Sequence, residues 1–277
     1  MDNLELARRC YDLRMDVVRM IREGKGGHIG GDMSIMETMA VLYLDEMNVD
    51  PSRADDPDRD RFVLSKGHCV ETYYAVLAAK GFLDIEEVIR KYSKFASPYI
   101  GHPNNKLPGI EMNSGSLGHG LPVGVGMALA GKMDKRDYRV YVVLGDGELA
   151  EGSNWEAAMA GRQFGLDNLC AVVDRNRLQI SGNTEDVMGE DDLEARFASF
   201  GWHVIQADGN SVPAMKAAFA EARRTTGKPT FIIANTTKGK GSSVMENKAS
   251  WHHHVPDEEE YETIMRDLAA AKEAIHE

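Results

Sequence analysis

Cysteine is scarce in this chain. Cys10, Cys69 and Cys170 are its only three, spread over 277 residues. They form no CxxC and no metal-finger spacing, so neither a disulfide framework nor a structural zinc site is expected. Positive charge is scarce too. Thirty-two Lys and Arg face 44 Asp and Glu, a formal net charge of −12. Phosphate-backbone binding needs clustered positive charge, which excludes a general nucleic-acid surface. The acidity is uneven: between residues 257 and 277, eight acidic and two basic residues leave −6, so the remainder is mildly acidic. No apolar run reaches the ~18 residues of a membrane span. The opening MDNLELARRC lacks the apolar core of a signal peptide. The expectation is a soluble cytoplasmic protein without membrane or nucleic-acid partners. No internal repeat or low-complexity linker breaks the chain, and its length suffices for a core without cross-links.

The hydrophobic pattern predicts helices and strands in alternation. Leu4, Ala7, Tyr11, Met15, Val18 and Ile21 recur at helical spacing over 2–23, and Gly24 follows as a stop. The segment GKGGHIGGD reads as a glycine-rich turn before a second helix near 35–44. A charged loop over 48–60 leads to a short buried strand at 61–65, then Lys66-Gly67-His68 and a helix to Ala79. Residues 92–119 hold many Gly, Pro, Ser and Asn and read as a long loop, a feature more often functional than idle. A run of small residues over 120–131 suits a helix packed close to its neighbour. Strands follow at 139–144, 169–174, 203–207 and Thr230–Asn235. Helices are predicted near 154–164, up to Phe200, and from Pro213 with Ser211 as cap. An irregular loop occupies 175–192. This order implies a doubly wound parallel sheet with helices on both faces. The whole chain, 1–277, reads as one domain, with 257–277 as a solvated terminal acidic helix.

The chemistry gathers at strand ends. Gly145-Asp146-Gly147 follows the strand at 139–144, and the carboxyl ends of parallel strands are where such folds bind ligands. The glycines let backbone N–H groups approach an anion, and Asp146 is a hard oxygen ligand for Mg²⁺ or Ca²⁺. Asn176, at the end of the next strand, offers an amide oxygen to the same cation. On these residues alone, a metal-bridged diphosphate site and two ordinary turns remain equally open. His28, His68, His102 and His119 all fall in glycine-rich or irregular loops, suited to sugar hydroxyls, phosphate or proton relay. None has HExxH or zinc-finger spacing. Of His252-His253-His254, one is expected to face a site, with Trp251 as a packing anchor. Lys238 and Lys240, in TTKGKG, either neutralise a phosphate or form a solvated basic turn.

The stretch GDGELAEGSNWEAAMAGRQFGLDNLCAVVDRNRLQISGNT resembles the thiamine-diphosphate signature of transketolases. GGHIGG, SKGH, GHPNNKLPGIEMNSGSLGHGL, and KGKG followed by Trp251-His252 are similar to that family's other loops, in the same order along nearly the whole chain. The resemblance implies that Asp146, Asn176 and the Leu178 carbonyl hold Mg²⁺, with Ca²⁺ or Mn²⁺ as substitutes. It implies that Gly147, Asn176, His68, Lys238 and His252 contact the diphosphate, and that Gly115, Ser116 and Leu117 line the thiazolium side. His28, His102 and His252 would face the sugar, and Glu151 would lie at a subunit contact near the cofactor's activating carboxylate.

Full transketolases are more than twice this long and continue into a domain for the aminopyrimidine ring. The resemblance is therefore to the N-terminal subunit of a split transketolase. It implies a separate C-terminal partner carrying that domain, an α2β2 assembly, and sugar phosphate substrates. An α-type subunit of a 2-oxoacid dehydrogenase, a deoxyxylulose-phosphate-synthase-like enzyme, and a non-catalytic binding protein of the same fold are the alternatives. Gly27 and Ile29 beside His28, His119, His253 and His254 depart from the pattern of many relatives. These departures fall at the substrate end and open the donor to a modified or branched sugar phosphate.

Overall fold

A computed structural model describes residues 1–189 and 192–276. Residues 190–191 of the loop read over 175–192, and residue 277 of the terminal segment, lie outside the described residues. Five parallel strands form the central sheet: β1 (Arg61–Leu64), β2 (Val140–Gly145), β3 (Leu169–Arg175), β6 (His203–Asp208) and β7 (Thr230–Asn235), in the order β1-β2-β3-β7-β6. Every residue of β2 and β3 is buried. That is why both read as unbroken apolar runs rich in Val, Leu and Ala, not as alternating ones.

Two apolar layers sandwich the sheet. On one face pack α1 (Asn3–Gly24), α2 (Ile29–Val41), α3 (Val70–Lys80), α9 (Val212–Arg224) and α10 (Glu258–Glu273). On the other pack α5 (Gly120–Met133), α6 (Gly152–Gln163) and α8 (Leu193–Ser199). The sheet with helices on both faces matches the sequence reading. After β1 the chain leaves to α3 on one face; after β2 it leaves to α6 on the other. A crevice opens where neighbouring strands part this way, and the site lies there. The small residues of α5 serve close approach: a Cβ on Gly124 would stand 2.5 Å from Val142.

Several local readings need correction. The glycine-rich stretch after His28 is helix, because α2 begins at Ile29. Gly30 and Gly31 sit in its first turn because a Cβ there would stand 2.6 Å from the Trp251 carbonyl and 2.7 Å from Cys69 Sγ. A close fit outweighs helix propensity here. A short helix, α4 (Ile85–Lys91), capped by Asp84, precedes the long loop. The loop over 175–192 holds a two-stranded hairpin, β4 (Leu178–Gln179) and β5 (Gly182–Asn183), and a short helix, α7 (Thr184–Met188). The terminal helix α10 is not solvated all round. Asp257 and Glu260 form a capping box, and Ile264 and Leu268 are fully buried in the layer that α1 shares. Its acidic residues occupy the outer side.

Candidate active site

A cavity of about 360 Å³ opens at the carboxyl ends of β1, β2 and β3. Asp146 sits at its floor, just past β2. Its Oδ1 accepts the Gly147 N–H at 2.8 Å, and its Oδ2 accepts the Arg177 N–H at 2.5 Å. One carboxylate thus ties the turns after β2 and β3 together. Arg177 adopts φ 66° to deliver that bond. Asn176 and the Leu178 carbonyl complete a set of three hard oxygen donors on the cavity wall. Among the described residues no group of three or more His, Cys, Asp or Glu could hold a metal. Carboxylate, amide and carbonyl oxygens suit Mg²⁺ or Ca²⁺ and not a soft metal. Burial, and then the nearby charge of Asp174, push the Asp146 carboxyl up to about 6. A bound divalent cation would reverse that penalty.

Beneath this floor lies an ion pair that the sequence reading missed. Lys66 Nζ is 2.5 Å from Asp174 Oδ2, and both side chains are buried. Asp174 also accepts from Ser34 at 2.6 Å, from Asn176 Nδ2 at 3.0 Å and from the Thr236 hydroxyl. The Asn176 bond turns its amide nitrogen inward and leaves the amide oxygen for the cavity and the Leu178 N–H. Burial acts to lower the Lys66 pKa, but the charge and hydrogen bond of Asp174, together with Cys69, outweigh it and the net shift is upward. Asp174 stays below its ordinary value because Lys66 and the hydroxyl donors outweigh burial. Glu148 was also missed. It is buried and accepts from the Ser65 hydroxyl, from the Gly118 N–H at 2.8 Å and from the Gly145 N–H at 3.0 Å. It joins the end of β1, the loop bearing Gly115 and the end of β2. A buried acid directly after Gly-Asp-Gly was the one signal available for it.

The histidines converge on the other wall. His28 packs its ring against four others, with centroids 5.3 Å from His68, 5.9 Å from His102, 5.5 Å from His252 and 4.7 Å from His253. Burial, and then His253, His102, Lys238 and Lys66, pull the His28 pKa down to about 4. Burial, and then Lys238, pull His252 to about 3. His68 and His102 are lowered by burial as well. These imidazoles are neutral at pH 7, each offering one donor and one acceptor. The buried Nδ1 of His28 has no partner. Lys238 is buried between the two walls, with Nζ 3.0 Å from the Leu178 carbonyl and 2.9 Å from His252 Nδ1. Burial, and then Lys66, bring its pKa down to about 8.

His28, His68, His102, Gly115, Leu117, Asp146, Gly147, Asn176, Leu178, Lys238 and His252 all line this one cavity. The structure does not bring Ser116 or Glu151 to its wall. Ser116 is exposed, and Glu151 is exposed at the start of α6. His119 lies outside, with Nδ1 2.9 Å from the Leu117 carbonyl. Lys240 faces away and pairs with Glu246 at 3.6 Å. Of the three consecutive histidines, His252 alone lines the cavity, as expected. His253 is exposed and packs on the His28 ring, while His254 stacks on Trp251 and bonds Glu260 at 2.8 Å. Gln179, Ile180 and Ser181 of the hairpin also line the cavity.

The sequence matches the transketolase thiamine-diphosphate-binding domain over residues 7–274. An apulose-4-phosphate transketolase subunit from Phocaeicola vulgatus is 50% identical over 92% of this chain and 91% of its own length. The 6-deoxy-6-sulfo-D-fructose transketolase subunit SqwG of a Clostridium species is 40% identical over 87% and 88%. Human transketolase is 42% identical over 87% of this chain but only 38% of its own length. In structure, Campylobacter jejuni transketolase aligns with a TM-score of 0.91 at 25% identity, covering 100% of this chain and 46% of that one. With motif order, fold and cavity in agreement, this chain belongs to the transketolase family, as a thiamine-diphosphate-binding domain matching the length of the separate subunits among its relatives.

Proposed function

We propose that this chain is the cofactor-diphosphate subunit of a two-subunit transketolase. It transfers a two-carbon ketol unit from a ketose phosphate to an aldose phosphate, with thiamine diphosphate and Mg²⁺. The observation that carries this reading is one cavity with a hard-oxygen wall and a neutral-imidazole wall, divided by Lys238. The reading of a 2-oxoacid dehydrogenase subunit or a deoxyxylulose-phosphate-synthase-like enzyme gives way, because the relatives matched over about nine-tenths of the chain are transketolases.

The residues fit the group. Asp146, Asn176 and the Leu178 carbonyl would hold Mg²⁺. Lys238, His68 and His252 would contact its oxygens, and Gly147 lets backbone approach them. Bound thiamine diphosphate supplies the carbanion chemistry of two-carbon transfer. Within this chain, Lys238 takes up the charge that burial had weakened once an anion arrives. His28, His102 and His252, held neutral, accept and return protons at the sugar hydroxyls.

A partner subunit carrying the pyrimidine-binding domain and the activating carboxylate completes the site, as α2β2. Glu151, exposed at the start of α6, would lie near that contact. Exposed apolar side chains on α5 and α6, among them Val123, Met133 and Met159, suit a covered surface. Relatives named for apulose 4-phosphate favour a ketose phosphate of that kind as donor.

The test is co-purification with the C-terminal subunit followed by two-carbon transfer to an aldose phosphate. The donors are apulose 4-phosphate, xylulose 5-phosphate and 6-deoxy-6-sulfofructose. Transfer by the pair and not by this chain alone is the expected result. Full activity of this chain alone would contradict the partner's role, and release of CO₂ from a 2-oxoacid would contradict the reaction.

A further inference from the structure

Beneath the histidines lie two acidic side chains with no place in the chemistry above. Asp32 and Glu71 are both fully buried. Asp32 Oδ1 accepts the Thr72 N–H at 2.8 Å, and Glu71 Oε1 accepts the Tyr92 hydroxyl. The second oxygen of each, Asp32 Oδ2 and Glu71 Oε2, is buried without a conventional donor. The Thr72 N–H and hydroxyl hold Asp32 against the first turn of α3, next to Glu71. Two carboxylates are acceptors only, so neither buried oxygen can be satisfied by the other unless one carboxyl carries a proton. Glu71 can hold it, donating from Oε2 to Asp32 Oδ2 while Oε1 keeps the Tyr92 bond.

The pair stands where three histidine-bearing segments meet. Asp32 lies one helical turn along α2 from His28. Glu71 is in the first turn of α3, just past His68. Tyr92 opens the long loop that carries His102, and a Cβ on Gly101 would lie 3.5 Å from its hydroxyl. Gly27, at φ +150°, runs so close over Glu71 Oε1 that a side chain there would collide with it. The backbone that presents His28 therefore rests directly on the carboxyl group.

We propose that Asp32 and Glu71 share one proton and act as a positioning pair that fixes His28, His68 and His102 relative to one another. The transketolase reading enters only through what those histidines then do; the shared proton stands on the packing alone. The groups acting on the pair are Lys66 at the end of β1, Cys69 and Tyr74 around α3, and Tyr92 after α4. Lys66 is already bound to Asp174 and does not neutralise both carboxyls.

The sign follows from burial. Burial raises both pKa values, and the Asp32 charge raises Glu71 further. A group raised in the folded state stabilises the fold fully below its unfolded value. That stability is lost as pH rises through the folded value. Once the shared proton leaves, two buried charges repel and the three histidine segments separate.

Glu71→Gln tests this, because the amide donates to Asp32 and cannot ionise. In the full chain, the urea midpoint of wild type is expected to fall more steeply than that of Glu71→Gln as pH rises above the ordinary carboxyl range. In the assembled enzyme, Glu71→Gln should retain most of the turnover that Glu71→Ala loses, with its alkaline limb shifted up or gone. Asp32→Asn, whose amide donates the other way, should give the same flattening if the first variant folds poorly. Equal pH slopes in wild type and both amide variants would overturn the proposal. A flattened slope in a pair that transfers no ketol unit from any ketose phosphate would sink the transketolase reading and leave the shared proton standing.

Discussion

At the diphosphate end of the cavity the charged groups are saturated by the protein itself. Asp174 takes bonds from Lys66, Ser34, Asn176 and Thr236, and Glu148 takes bonds from Ser65, Gly118 and Gly145. At the histidine end the rings rest mainly on one another, and His28 Nδ1 is left without a partner. Under the proposed function, the contrast follows from what each end would meet. A diphosphate and its cation present fixed charge, so donors preset by bonds to strand ends lose little order on binding. A sugar presents hydroxyls that change role during reaction, so its readers need free donors and acceptors and are held instead by shape.

The comparison breaks most visibly at its foundation. Lys66→Met leaves Asp174 buried and uncompensated, and the expected loss is about 3–5 kcal/mol of folding stability by denaturant titration. A loss below about 1 kcal/mol would mean that the pair does not organise this end. Next in size, Asp146→Ala should weaken Mg²⁺-dependent cofactor binding by more than about 100-fold, beyond what loss of a residue that only orients a metal ligand costs. Unchanged calorimetric affinity would remove Asp146 from the metal site. His102→Ala should do the reverse, leaving cofactor affinity near wild type while turnover falls on the order of 100-fold. Lost affinity with normal turnover at saturating cofactor would put His102 at the wrong end. The smallest effect belongs to His253→Ala, whose exposed ring packs edge to face with His28. It should change the ratio of kcat/KM between two ketose donors by about tenfold or less, with cofactor affinity untouched; an altered affinity instead would place His253 at the diphosphate end.

Much of this was legible in the sequence because it is local. The apolar runs of β2 and β3 showed themselves as buried strands, and Gly-Asp-Gly and Asn176 followed at their ends. What was hidden depends on distant partners. Gly30 and Gly31 read as turn formers, because nothing nearby reveals that Trp251 and Cys69 will pack onto them. Lys66 and Asp174 lie 108 positions apart, and each looks ordinary in its own segment. Nothing near Glu148 in the chain reveals that three separate segments will deliver donors to it. The acidic face of α10 masked a buried stripe, Ile264 and Leu268, that only the packing against α1 explains.

The central claim is that this chain alone preforms the diphosphate end, whereas the rest of the site waits for a partner. Calorimetric titration of the isolated full chain with inorganic diphosphate and Mg²⁺, set beside thiamine and Mg²⁺, tests it most directly. The account predicts saturable, Mg²⁺-dependent diphosphate binding that Asp146→Ala abolishes, and no binding of thiamine. Binding of thiamine by the isolated chain, or failure of diphosphate to bind until the partner is added, would contradict it.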